Sequence, residues 1–232
     1  MAAPPTPVEL HQAEKRLRAE LSREGMLLAH DVLLPSATRC IAGQSISGSW
    51  WAHPSGALIY ATLQRVEADV ARVKLVGAKS TLVHRSLWPA LARAARSGEA
   101  WQRADLDATA LDLLRRVERE GSVEGAALKL MAGGRAVKAA QQLEARLLVF
   151  CKHEAVVGGE HKHRKTLIPF EAWQREAKID DGDLPDTVSA LEALTVPVRS
   201  WVGVSVAGLL PWLQADTRAR KPKRWQLPPR LP

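Results

Sequence analysis

Two groups of residues in this chain have the types and spacing to do chemistry. The sharper one is Cys151-Lys152-His153 together with His161-Lys162-His163. Side chains two apart on a strand share a face. A hairpin centred on Val157 sets Cys151 opposite His163 and His153 opposite His161, so all four gather on one side of a two-stranded ribbon. Thiolate and imidazole are zinc ligands, and four of them close a structural site. The spacing is not a standard zinc pattern, and a register change of one residue scatters the set. A basic loop whose histidines face phosphate and whose cysteine packs inward accounts for the same residues. No cofactor is therefore expected, and zinc on these four is the lesser reading.

The second group is Ser49-Trp50-Trp51-Ala52-His53-Pro54 with Lys74, Lys79, His84, Arg85 and Trp88. If a hairpin near residue 80 packs on the tryptophan loop, these side chains converge. Paired indoles stack on bases, and lysine and histidine clamp phosphate. A desolvated lysine can act as a nucleophile, and histidine can move protons. Trp50, Trp51, His53, Lys74, Lys79 and His84 are thus the catalytic candidates. Taken singly, each is better explained as core or as a satisfied structural residue. The chain has no H-E-x-x-H helix, phosphate-binding glycine loop or dinucleotide fingerprint.

The elements that would position these groups are clearest between Asp105 and Trp173. Leu106, Ala110, Leu113, Leu114 and Val117 repeat with a helical period, and Gly121 can end that helix. Ser122 is a candidate N-cap for a short second helix to about Leu130, and Gly133-Gly134 turn the chain. A third helix is expected from Arg135 to Ala145, with Val137, Ala140 and Leu143 inward. Its outer side carries Arg135, Lys138, Gln141, Gln142 and Arg146. Strand formers at 147–151 and 166–170 flank Gly158-Gly159 and a basic tip containing Lys162, Arg164 and Lys165, with Pro169 suited to an edge position. From Arg135 to Lys165 there are seven Lys/Arg and three Glu. Three helices followed by a basic hairpin form a winged helix. Its third helix enters a DNA groove, and its wing lies on the backbone.

Before this region a polar helix is expected over Val8–Glu24, and an apolar run from Met26 to Leu34 whose type periodicity leaves open. A loop follows from Gly43 to Gly56, then a helix from Ala57 to about Ala68. Strand-like runs at Ala71–Val76 and Thr81–Arg85 form a hairpin, followed by a helix at Leu87–Arg96. After Trp173 a polar connector leads to a helix at Asp186–Leu194 and an apolar segment at Trp201–Leu213. From Arg218 on there are six Lys/Arg and four Pro, a composition that does not pack a core. The expected class is α+β, mainly helical, with an N-terminal helix and β-hairpin region before a winged helix-turn-helix domain. The divisions are 1–25 as arm and helix, 26–104 as the α+β region, 105–175 as the winged helix and 176–232 as C-terminal helices and basic tail.

Residues Leu34-Pro35-Ser36, Ala42-Gly43, Gly48-Ser49-Trp50-Trp51, His53-Pro54, Lys74-Leu75-Val76, Lys79, Val83-His84-Arg85 and Leu87-Trp88-Pro89 make a long, specific set. In these the chain resembles an uncharacterised bacterial protein family, from about Leu27 into the wing, and that resemblance implies no particular reaction. Residues 105–173 separately resemble the winged helix of MarR-type regulators, which implies DNA contact by helix and wing. Winged-helix DNA glycosylases are similar in fold class alone.

Bulk properties agree with an anionic partner. The 232 residues carry a net charge of +8 and a pI near 9.9, which favours nucleic acid over membrane. No run is apolar and long enough to cross a bilayer. The N-terminus lacks the pattern of a secretion signal. Two cysteines fit a reducing cytoplasm. The expected function is duplex DNA binding through helix 135–145 and wing 152–165. A nucleic-acid-processing enzyme, in repair for example, that uses the Trp/His/Lys group is the first alternative. A winged helix that binds protein is the second. The residues neither require nor exclude a catalysed reaction, and they do not fix an oligomeric state.

Overall fold

Thr6 starts the first helix. Its hydroxyl accepts from the Glu9 amide at 3.2 Å, and the Glu9 carboxylate accepts from the Thr6 amide at 2.8 Å. This reciprocal pair satisfies donors that a helix N-terminus leaves open. The computed structural model describes residues 4–131, 134–155 and 163–218. Helix α1 covers Pro7–Glu24 and buries Ala13, Leu17 and Leu21 as one stripe. Next come β1 (Met26–Leu28), α2 (Ala37–Ala42), α3 (Gly56–Arg65), β2 (Val70–Lys74), β3 (Ser80–His84), α4 (Trp88–Ala95) and α5 (Ala100–Arg103).

The expected hairpin is present, with Val70 opposite His84 and Lys74 opposite Ser80. β1 joins it antiparallel, Met26 facing Val83, to give the order β1-β3-β2. Pairing thus decides what periodicity left open at Met26. Both faces of this sheet are buried, following the two-residue alternation of strands. Met26, Leu28, Ala71, Val73 and Val83 enter one core with α4, while Leu27 and Leu82 enter another with α1, α2 and α3.

The second half contains α6 (Ala108–Glu120), β4 (Val123–Glu124), α7 (Gly125–Leu130), α8 (Arg135–Ala145), β5 (Val149–Ala155) and β6 (His163–Pro169). It ends with α9 (Phe170–Glu176), α10 (Thr187–Val202) and α11 (Pro211–Arg218). The second sheet is antiparallel in the order β4-β6-β5. Ser122 does not cap α7. The chain first extends into β4, because Val123 is buried opposite Leu167. Helix α7 then begins at Gly125, where a Cβ would meet the Lys165 Cβ and carbonyl oxygen at 3.1 Å. Only glycine lets α7 start this close to β6. β6 is the central strand, yet Pro169 is tolerated. Pro169 closes β6 opposite Val149 of β5, and the β4 pairing covers Thr166 and Leu167 only, so on the β4 side Pro169 stands at an edge.

Successive residues of β5 enter different cores. Val149 and Cys151 pack with α6, α7 and α8, whereas Phe150 packs with Ile168, Phe170 and Trp173 in the core of the first sheet. Phe150 stacks on Trp173 at 5.0 Å, and Trp88 meets the edge of Trp173 at 5.7 Å. Helix α10 contributes Ala190, Leu194 and Val198 to the same core. It runs past the expected Leu194 and carries Pro197 within it. The architecture is mainly helical α+β with two small antiparallel sheets. Among the described residues, no helix is long and apolar enough to cross a membrane.

Candidate nucleic-acid interface

Helix α8 follows Gly134, whose φ of 88° lies in the left-handed region. Ala136, Ala139, Ala140 and Leu143 form its buried side, packed with Ala110, Leu113 and Val117 of α6. This leaves Arg135, Lys138, Gln141 and Gln142 exposed. Val137 is half-buried at the flank instead of inside the core. Arg135 and Lys138 make no ion pair among the described residues. Cations on other helices are quenched by nearby acids: Arg18 by Glu14 at 3.1 Å, Arg116 by Glu120 at 2.8 Å and Arg199 by Glu192 at 2.7 Å.

Arg146 does not belong to the exposed set. Its Nη1 donates to the Trp101 carbonyl at 2.5 Å, and its own carbonyl accepts from Gln102 Nε2 at 3.5 Å. Burial lowers its pKa. The side chain braces the end of α8 against α5.

In the hairpin, Arg164 and Lys165 are exposed on β6. Lys162, expected among the phosphate contacts, lies outside the described residues, as does His161. The register does not assemble the zinc set. Cys151 faces Leu167, His153 faces Lys165 and His163 faces Ala155. The strands are aligned at their root, where Val123 and Cys151 flank Leu167 and Phe150 pairs with Ile168, and not by a turn centred on Val157. Burial pushes the Cys151 thiol up to about 12, Glu144 adds to this, and Lys165, Lys74 and Arg72 oppose it. Among the described residues no group of His, Cys, Asp and Glu could hold a metal ion.

The Trp/His/Lys group is dispersed. Trp50 and Trp51 stack at 3.9 Å in a helical turn above α3, where a Cβ on Gly56 would meet the Trp51 carbonyl at 2.9 Å. Trp50 packs on the core of α1–α3, and His53 Nδ1 accepts from the Ser55 amide at 3.2 Å. Lys79 is tied to Asp31 at 2.5 Å. His84 Nδ1 bonds Ser86 Oγ at 2.9 Å, and burial followed by Arg85 lowers its pKa. Arg85 approaches Asp69 at 3.9 Å, and Trp88 Nε1 donates to the Val83 carbonyl at 3.1 Å. Lys74 and His84 lie at opposite ends of the hairpin, roughly 13 Å apart at a strand's rise per residue.

Lys74 instead faces α8. A cleft of about 570 Å³ lies between the β2–β3 hairpin, α7, α8, β5 and β6. Its basic lining is Arg72, Lys74, Lys129, Arg164 and Lys165, against Glu124 and Glu144; Gln141 and His153 also reach it, over a floor that includes Val73, Leu128 and Val137. Burial raises the pKa of Glu144, with Lys74 and Lys165 pulling the other way. Burial also lowers that of Arg72, opposed by Glu67 and Cys151. The Arg72 side chain makes no hydrogen bond or ion pair among the described residues. Sequence reasoning missed Arg72, Lys129 and Glu144. The period of two in Val70–Lys74 puts Arg72 beside Lys74, and 137, 141 and 144 form one helical flank. Both signals are local, while the cleft is tertiary. The chain matches no family model, no curated protein and no solved structure.

Proposed function

We propose that residues 105–175 form a winged helix and that the protein binds duplex DNA with it. The order α6-β4-α7-α8-β5-β6, with β6 between β4 and β5, supports this. In this reading α8 enters the major groove, Lys138, Gln141 and Gln142 reach base edges, and Arg135, Arg164 and Lys165 rest on phosphates. The observation that carries the reading is the unquenched basic surface. Arg135 and Lys138 project from α8, Arg164 and Lys165 project from the neighbouring strand, and none of the four is ion-paired among the described residues.

The test is an anisotropy titration of labelled duplex DNA at several salt concentrations. Wild-type affinity should fall linearly with salt on logarithmic axes. Arg135→Ala should flatten that slope by about 0.9, the value of one phosphate contact, and Lys138→Ala should relax base preference. Duplex binding absent even at low salt would defeat the reading and favour a winged helix that docks on protein.

A further inference from the structure

Arg72 is half-buried, its side chain has no hydrogen bond or ion pair among the described residues, Glu67 acts on it only at longer range, and it lines the hollows on either side of the edge strand β5. A half-buried cation that no acid contacts directly is well placed to receive something anionic or π-faced. Opposite charges occupy the larger hollow, yet Glu144 comes within ion-pair distance of neither Lys74 nor Lys165. The cleft is therefore open, with a surplus of positive charge over an apolar floor.

A duplex is far too wide to enter. At about 570 Å³ the cleft falls within the roughly 300–1,000 Å³ of small-molecule sites. Its mouth is shared with the surface assigned above to DNA, because Gln141 of α8 and Arg164 of β6 line both. We propose that this cleft receives one unpaired nucleotide of the bound DNA, its phosphate against Lys74 and Lys165 and its base on the Arg72 guanidinium. Guanidinium planes stack on unstacked bases. The Gln141 amide and the Glu144 carboxyl supply hydrogen-bonding groups for the base edge. A base already out of its pair costs less to accommodate than one in a duplex.

This rests on the DNA-binding reading, and the experiment separates the two. Full-length protein is titrated with a blunt duplex and with the same duplex carrying a single-nucleotide bulge of 2-aminopurine. The bulged duplex should bind at least about tenfold tighter, near the low end of one base–side-chain contact, and 2-aminopurine emission should change on binding. Arg72→Gln should erase that preference and the emission change while leaving blunt-duplex affinity within about twofold, below any single contact of that kind. If Arg72→Gln fails to fold by circular dichroism, Lys74→Gln carries the same expectation. Equal affinity for the two duplexes in the wild type overturns the cleft assignment and leaves DNA binding standing. A preference that survives these substitutions overturns it too, and binding of neither duplex overturns both.

Discussion

Arg146 donates from Nη1 to the carbonyl oxygen of Trp101 at 2.5 Å, fastening the last turn of α8 to α5. From the sequence this cation is expected among the DNA contacts, but in the fold it is used internally. Arg146→Ala should therefore lower stability by about 1–3 kcal/mol, the range for a lost hydrogen bond to a charged group. In the DNA titration its salt slope should match the wild type, in contrast to Arg135→Ala. A flattened slope in folded Arg146→Ala would show that this arginine does reach phosphate.

Asp31 and Lys79 form an asymmetric pair. Asp31 is 8% exposed and accepts from the Leu33 and Leu34 amides at 2.9 Å each, while the Lys79 side chain is 55% exposed. Burial alone would raise the Asp31 pKa. Hydrogen bonds from Leu34, Lys79 and Leu33 outweigh it, and the net shift is downward. Asp31→Asn should cost about 1–3 kcal/mol at neutral pH, and Lys79→Ala about 0–1 kcal/mol because that end is in water. The folded pKa lies below the unfolded value of about 3.9. The stabilisation is thus complete above that value and is lost as pH falls through the folded pKa. Urea melts at a series of pH values should show the gap between wild type and Asp31→Asn closing only below about pH 4.

Both thiols are suppressed by their surroundings. Burial raises Cys40, with Glu20 adding, and raises Cys151 to about 12. In the folded protein at pH 8, Cys151 should react with a disulfide reagent roughly a thousandfold or more slowly than a free thiol. Both should react promptly in denaturant. Rapid modification of native Cys151, located by peptide mapping, would mean that β5 opens easily.

Local signals were legible here, and tertiary ones were not. Helix α8 is found at the expected Arg135–Ala145, because its alanines and leucine carry the period and Gly134 marks its start. The β2–β3 hairpin was readable from its compact spacing. β4 was not, since two residues have no period; only Leu167 across the sheet makes Val123 a strand. The alignment of His153 with Lys165 was hidden for a related reason. Gly158-Gly159 marks a turn without fixing its centre, and aromatic packing at the strand root, far along the chain, decides the register. Lys79 and His84 looked like candidates for chemistry because their types permit it. Their partners Asp31 and Ser86 become visible only in the fold.

The root of the β5–β6 pair is part of the first sheet's core. Phe150 and Ile168 point away from Val149, Cys151 and Leu167, toward Trp88 and Trp173, so the second sheet is shared between two cores. Trp173 is 6% exposed and meets Trp88, Phe150 and Phe170. Trp173→Ala should cost about 3–5 kcal/mol, as for a large aromatic removed from a core. Leu143→Ala, in the helical core on the other face, should cost about 2–5 kcal/mol. Because the cores meet across β5 and β6, either substitution should lower one common unfolding transition. Tryptophan emission reports regions other than the helical core of Leu143, since no described tryptophan packs there while Trp88 and Trp173 lie in the first core and Trp50 on the α1–α3 core, whereas far-ultraviolet circular dichroism reports the helices throughout. Coincident midpoints in wild type and both variants are expected. If Leu143→Ala shifts the dichroism midpoint and leaves tryptophan emission in place, the helical region melts on its own and β5–β6 does not couple the two.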